Sequence, residues 1–236
     1  MIPKIIHQMG PSNLNNWHPI WKECQDSWKI NFSDFQYIFW NDKDIRNFIE
    51  KNYSDILKYY DEFPYNIMRV DVSRYLILHS YGGIYADLDI YCYKNFYDDL
   101  VNDLYIVESW EDWGEKVQNS LMISNPNNNF WIKCIRCCIE KFICSASKNY
   151  TNSTEYILNI SGPKLLSEVL DNEVTLLPKQ IFNPIIRNQF NWSGGDYSSP
   201  EHFNALIDFN EMNKINDGVI TRHYLTGKWP MENENE

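Results

Sequence analysis

The sequence predicts an α/β domain, built on a largely parallel mixed sheet with flanking helices, and three observations lead there. Short β-type runs alternate with helical runs along the chain, the pattern of strands joined by helical crossovers. No internal repeat and no Pro/Gly/Ser-rich linker divides it. With 236 residues, 44% of them apolar and 16% aromatic, the chain can bury a sizeable core and is too hydrophobic to stay disordered. One domain is expected over residues 1–230, followed by a disordered acidic tail at 231–236.

The elements follow in order. Residues 4–8 (Lys-Ile-Ile-His-Gln) read as the first strand, 19–29 as a helix opened by Pro19, and 35–40 as an aromatic strand. Asn41 or Asp42 can cap the helix that follows, because a short side-chain oxygen accepts from an unpaired N–H of the first turn. Residues 67–80 carry an apolar face (Ile67, Val70, Leu78), and Gly82-Gly83 stops that helix, since glycine tolerates a left-handed backbone. Ile84-Tyr85-Ala86 is a buried strand running into Asp87-Leu88-Asp89. Further strands are expected at 104–108, 120–124, 174–177 and 219–224, with helices at 129–144 and 163–170.

Charge narrows the class of partner. The formal net charge is −11, and phosphate-backbone binding needs clustered Lys and Arg, so nucleic acid is not the expected partner. A basic helix lying on a membrane surface is disfavoured for the same reason. No apolar run reaches the length of a transmembrane helix, and residues 1–8 lack the long apolar core of a signal peptide, so a soluble, cytoplasmic location is expected. Four of the six cysteines (Cys134, Cys137, Cys138 and Cys144) crowd one helical stretch without His partners or a second Cys pair. They read as reduced, half-buried thiols rather than a zinc site.

The informative stretch runs from Arg69 to Asp89. On an extended chain, two carboxylates two residues apart project to the same side, and here they follow a buried strand, where α/β sheets place ligands. Packing two anions together is costly unless a cation stands between them, and oxygen ligands favour Mg²⁺ or Mn²⁺. The spacing alone is met equally by a solvated acidic turn. Asp71 and Arg74, three apart on a helix, share a face; they fit a surface ion pair as well as a pair of ligand contacts. His223, standing at a strand end before Gly227, Lys228 and Trp229, fits a structural histidine or a metal ligand.

Taken together, Arg69-x-Asp71-x-x-Arg74-Tyr75, Leu78 and Tyr81-Gly82-Gly83-Ile84-Tyr85-x-Asp87-x-Asp89 resemble the DXD sugar-binding segment of glycosyltransferase family 32. That family holds Och1-type mannosyltransferases and mannosyl-inositol-phosphoceramide synthases, and clostridial glucosylating toxins share the motif more distantly. The opening Ile2 to Gln8, Trp40-Asn41-Asp42, Ser161-Gly162-Pro163 and the spacing of His223, Gly227 and Trp229 are similar to the family as well. The chain departs from many relatives at Val70, before the first Asp, and at Lys228, where Ser often precedes the final Trp.

The resemblance implies a GT-A fold and a metal-dependent, retaining transfer of a hexosyl group from a nucleotide-sugar. GDP-mannose is slightly favoured over a UDP-hexose as donor, and the acceptor is a glycan, glycolipid or protein. Asp87 and Asp89 become ligands of Mn²⁺ or Mg²⁺ with His223, and Asp71 and Arg74 grip the donor sugar. His7 and Gln8 lie by the base and ribose, Asp87 faces ribose and metal, Gly83, Tyr85 and Ala86 line the donor, and His223 and Trp229 close over the diphosphate. Lys228, a departure from the family, fits a cation that offsets the leaving diphosphate's charge or a solvated side chain. A sugar-binding module without catalysis is the alternative. A dehalogenase-type phosphatase also carries Asp-x-Asp, but it wants Thr or Val where Tyr91 stands.

Overall fold

The computed structural model describes residues 1–110, 114–145, 150–184, 218–224 and 226. Gly227, Lys228, Trp229 and the 231–236 tail lie outside the described residues.

The chain begins with β1 (Ile5–Met9), then α1 (Pro19–Asn31), β2 (Gln36–Trp40), α2 (Asp42–Asn52), α3 (Ser54–Glu62) and α4 (Asn66–Tyr81). After β3 (Gly83–Ala86) and the short β4 (Ile90–Cys92) come β5 (Leu104–Glu108), β6 (Val117–Ser124), α5 (Asn129–Cys144), α6 (Ser153–Ile160) and α7 (Pro163–Val169). The described part closes with β7 (Thr175–Leu177), α8 (Lys179–Phe182) and β8 (Thr221–His223). Six strands form one sheet in the order β2-β1-β3-β6-β5-β7, while β4 and β8 form a separate pair.

Three of the main sheet's five strand pairs are parallel and two are antiparallel, so the sheet is mixed. The antiparallel pairs are those of β6, which runs beside both β3 and β5. The β5–β6 connection is too short for a helical crossover; Ser109 N–H donates to Lys116 O at 2.9 Å, closing a hairpin.

Strand alternation distributes side chains to two cores. Tyr85, Met122, Leu104 and Ile106 face the layer of α2 to α7. Ile6, Ile84, Ala86, Leu121, Ile123, Tyr105 and Val107 face Trp28 and Phe32 of the α1 side. Local signals set the ends of the elements. Asn41 caps α2 by accepting from Asp44 N–H at 3.0 Å, and Pro19 opens α1. Gly82 ends α4 with φ 62°, and Gly83 follows at φ 89°.

The small β4·β8 pair is braced by α1. Trp28 Nε1 donates to Ile90 O at 2.8 Å, and Asn31 Nδ2 donates to Cys92 O at 2.9 Å. Cys92 N–H in turn donates to Ser27 Oγ at 2.9 Å. The six cysteines carry thiols, with Cys24, Cys92, Cys134 and Cys138 buried. No helix among the described residues is long and apolar enough to cross a membrane.

Candidate active site

The site forms where the chain leaves the main sheet. Pairing of β3 with β6 ends at Ala86, after which Asp87 N–H donates to Ser120 O at 2.8 Å. The chain then turns, with Ile90 N–H donating to Asp87 O at 3.1 Å, and re-enters extended structure as β4. Asp87 and Asp89 therefore sit on a tight turn, the second of the two arrangements the spacing left open, rather than on an extended segment. The cause is the change of partner: β3 belongs to the main sheet and β4 pairs with β8, so the chain must bend between them. The turn also brings the two carboxylates together.

His223, at the end of β8, is delivered opposite this turn by the Ile90↔His223 register. One ligand atom each from Asp87, Asp89 and His223 lie within 4.8 Å of one another, the one such group of three or more His, Cys, Asp or Glu among the described residues. Two carboxylates and an imidazole suit a divalent cation of the Mn²⁺ or Mg²⁺ type. His223 Nδ1 is buried without a hydrogen-bond partner, while Nε2 lies 3.1 Å from Asp89 Oδ1. The donor set thus fits the cation the sequence called for.

The electrostatics of the two aspartates diverge. Burial pushes the Asp87 carboxyl upward, and Asp89 adds to that push against the pull of Arg74. Burial also acts upward on Asp89, but His223 and the Thr226 donors outweigh it and hold the carboxyl at about 2. Burial pulls His223 down, and the Asp89 carboxylate more than reverses this, leaving the imidazole raised above its ordinary value.

Behind Asp87 lies a buried network. Arg74 Nη2 is 2.9 Å from Asp87 Oδ1, Nη1 donates to Asp71 Oδ1 at 2.9 Å, and Nε donates to Tyr85 Oη at 3.1 Å. Tyr85 donates its own proton to Asp87 Oδ1 at 2.6 Å. Asp71 also accepts from Asn119 Nδ2 and from Ser161 Oγ, each at 2.8 Å. Burial pushes Asp71 up to about 6, against the pull of Arg74 and these donors. Asp71 and Arg74 thus form a buried ion pair, and Arg74 also pairs with Asp87, whose side chain is 20% exposed.

The other residues named as donor contacts lie around and beneath this turn. His7 is fully enclosed, because β1 lies between β2 and β3 with helices over both faces. Its Nε2 lies 3.0 Å from Gly82 O, and Nδ1 accepts from Trp40 Nε1 at 3.2 Å. Burial lowers its pKa to about 4. Gln8, equally buried, donates to Asp87 O at 3.1 Å and accepts from Tyr37 Oη at 2.7 Å. It supports the turn from below. Gly83, Tyr85 and Ala86 are buried within β3, and Tyr85 reaches the site through its hydroxyl. Lys228 and Trp229 lie outside the described residues.

Sequence reasoning passed over Asn119 as a site residue and knew Ser161 only as part of a motif. Both are buried polar residues, and no local pattern links them to Asp71, which lies 48 and 90 positions away. It also passed over Trp21 and Thr226, joined by a 2.7 Å hydrogen bond from Nε1 to Oγ1.

Known proteins resemble this chain. The family described as "Glycosyltransferase sugar-binding region containing DXD motif" matches residues 19–116. Inositol phosphoceramide mannosyltransferase 3 of Schizosaccharomyces pombe is 46% identical over 39% of this chain and 25% of its own length. An uncharacterized glycosyltransferase of Acanthamoeba polyphaga mimivirus is 38% identical over 89% of this chain and 83% of its own length. The chain spans a quarter to a half of the length of the three inositol phosphoceramide mannosyltransferases it matches. Among solved structures, the PaToxG glycosyltransferase shares the fold with a TM-score of 0.51 and 18% identity, over 72% of this chain and 69% of that one.

Proposed function

The chain belongs to the family of glycosyltransferases whose sugar-binding region contains the DXD motif and has a GT-A fold, and from this premise we propose that it moves a hexosyl group from a nucleotide-sugar to an acceptor hydroxyl. We take the donor to be GDP-mannose in preference to a UDP-hexose, because the inositol phosphoceramide relatives are mannosyltransferases. The acceptor class comprises glycans, glycolipids and proteins. The observation that carries this reading is the convergence of Asp87, Asp89 and His223 on one point, with Arg74 behind them.

In this mechanism Asp87, Asp89 and His223 hold Mn²⁺ or Mg²⁺, which when bound supplies a Lewis acid for the charge that grows on the leaving diphosphate. Arg74 and Tyr85 fix the Asp87 carboxylate, so that its orientation is set before the donor arrives. Asp71 is a poor nucleophile here. Its oxygens accept from Arg74, Asn119 and Ser161, and its carboxyl is buried. We therefore propose that the acceptor hydroxyl attacks from the leaving-group side with retention of configuration, its proton passing to a phosphate oxygen. Trapping a covalent glycosyl-enzyme would overturn that step.

A donor panel assayed for release of nucleoside diphosphate, with and without Mn²⁺, tests the reading. GDP-mannose turnover in the presence of Mn²⁺ is expected, together with its loss in Asp89→Ala. The metal-free thermal midpoint of that variant is expected to fall, because Asp89 accepts from Thr226 and pairs with His223, so turnover is compared per folded molecule. Full turnover by Asp89→Ala contradicts the assignment of the cluster. Donor binding without turnover under any condition would favour a binding module instead.

A further inference from the structure

We infer that Thr226, held by Trp21, is a positioning residue that aims the Asp89 carboxylate at the cation. The inference rests on reading the Asp87–Asp89–His223 cluster as a divalent-cation site.

The two oxygens of Asp89 have separate tasks. Oδ2 accepts from the Thr226 backbone N–H at 2.8 Å and from its hydroxyl at 3.2 Å. Oδ1 lies 3.1 Å from His223 Nε2, on the side of the cluster. A carboxylate free to rotate about its last bond would exchange these oxygens. Two donors on one of them prevent the exchange and leave the other directed toward the ligand position.

The direction of the hydroxyl proton follows from Trp21. An indole Nε1–H donates and never accepts. At 2.7 Å from Thr226 Oγ1, it obliges the hydroxyl to accept there. The hydroxyl has one proton to give, and Asp89 Oδ2 is the acceptor it meets among the described residues. Thr226 is also 5% exposed, so bulk water is poorly placed to replace either bond.

A purely structural role for the hydroxyl is less apt, because docking of this segment has other means. Tyr224 N–H donates to Asp89 O at 2.9 Å, β8 pairs along β4, and Tyr224 packs with Ile20 and Cys24 of α1. The Thr226 side chain adds orientation of the carboxylate to a segment that is already anchored. α1 thereby reaches the cation site through the Trp21 side chain.

The test is a Mn²⁺ titration of the full chain without nucleotide, reading free Mn²⁺ by its electron paramagnetic resonance signal, beside metal-free thermal midpoints. The proteins are wild type, Thr226→Val, Thr226→Ser and Trp21→Phe. Thr226→Val is expected to bind Mn²⁺ about 10- to 100-fold more weakly, as is typical when a group orienting a metal ligand is removed. Thr226→Ser, which keeps the hydroxyl, is expected to bind as wild type does. Trp21→Phe keeps an aromatic side chain and loses the N–H donor, and is expected to weaken binding in the same direction. If wild type binds Mn²⁺ and Thr226→Val and Trp21→Phe bind it equally well, the inference is overturned and the cation reading stands. If wild type binds none, the cation reading falls and the inference with it. Should Thr226→Val fail to fold, Trp21→Phe decides: weaker binding supports the inference and unchanged binding overturns it.

Discussion

Arg74 is the residue about which the buried side of the site is organised. Its planar guanidinium reaches two carboxylates and a phenol at once, which the single ammonium of a lysine cannot match in geometry. Removing it leaves Asp71 and Asp87 buried together without a counter-charge. Arg74→Met is therefore expected to lower stability by about 3–5 kcal/mol, measured by denaturant unfolding. Asp71→Asn, which keeps the shape and removes one of the two charges, is expected to cost less. That Asp71 and Arg74 share a helix face, and that Asp87 and Asp89 act together, was legible in the sequence because both are local patterns; the Arg74–Asp87 contact was not. The spacing left an ion pair and a pair of ligand contacts equally open, and the fold shows these residues in contact with one another in a buried bridge. Asn119 and Ser161 entered the network through tertiary contacts, which no short spacing encodes.

At the scale of elements, the glycine pair between α4 and β3 sets where the Asp87 turn falls. A Cβ on Gly83 would lie 2.6 Å from Ile5 O, and its φ of 89° disfavours any L side chain. β3 packs backbone to backbone on β1 at this point, so Gly83→Ala must displace one strand or the other. That variant is expected to lose stability, with a lower thermal midpoint, and to lose Mn²⁺-dependent turnover beyond what the fall in folded fraction explains. The long elements were readable: α5 ends where its apolar periodicity ends, and α4 stops at its glycines. The three-residue β4 was not, because its strand character comes from pairing with β8, far away in the chain, and from the α1 side chains that hold it. The bend between β3 and β4 went unseen for the same reason, and with it the true setting of Asp87 and Asp89.

For the whole molecule, charge and pH bear on stability together. His7 titrates near 4 in the folded chain, below its ordinary value of 6.5, because burial disfavours the imidazolium. A histidine depressed on folding contributes stability that is present above the unfolded pKa and is lost as pH falls toward the folded one. Between pH 6.5 and 4 the chain is expected to lose about 3 kcal/mol through this group. His7→Gln is expected to flatten that part of the curve of unfolding free energy against pH, even if it is less stable at pH 7. The net charge of −11 sharpens the role of the cation, since three clustered carboxylates face one guanidinium and one imidazole among the described residues.

The small sheet of β4 and β8 also imposes an order in time. Asp89 and Thr226 are 137 positions apart, and closing so wide a span costs chain entropy before any contact repays it. The parallel strands, α4 and the Arg74 network can assemble from the earlier part of the chain, whereas His223 and Thr226 arrive with its last described residues. A nascent chain therefore acquires its sheet before its cation site. A half-made molecule would hold Asp87 and Asp89 in an incomplete cradle, so the three-residue cluster is a property of the finished fold.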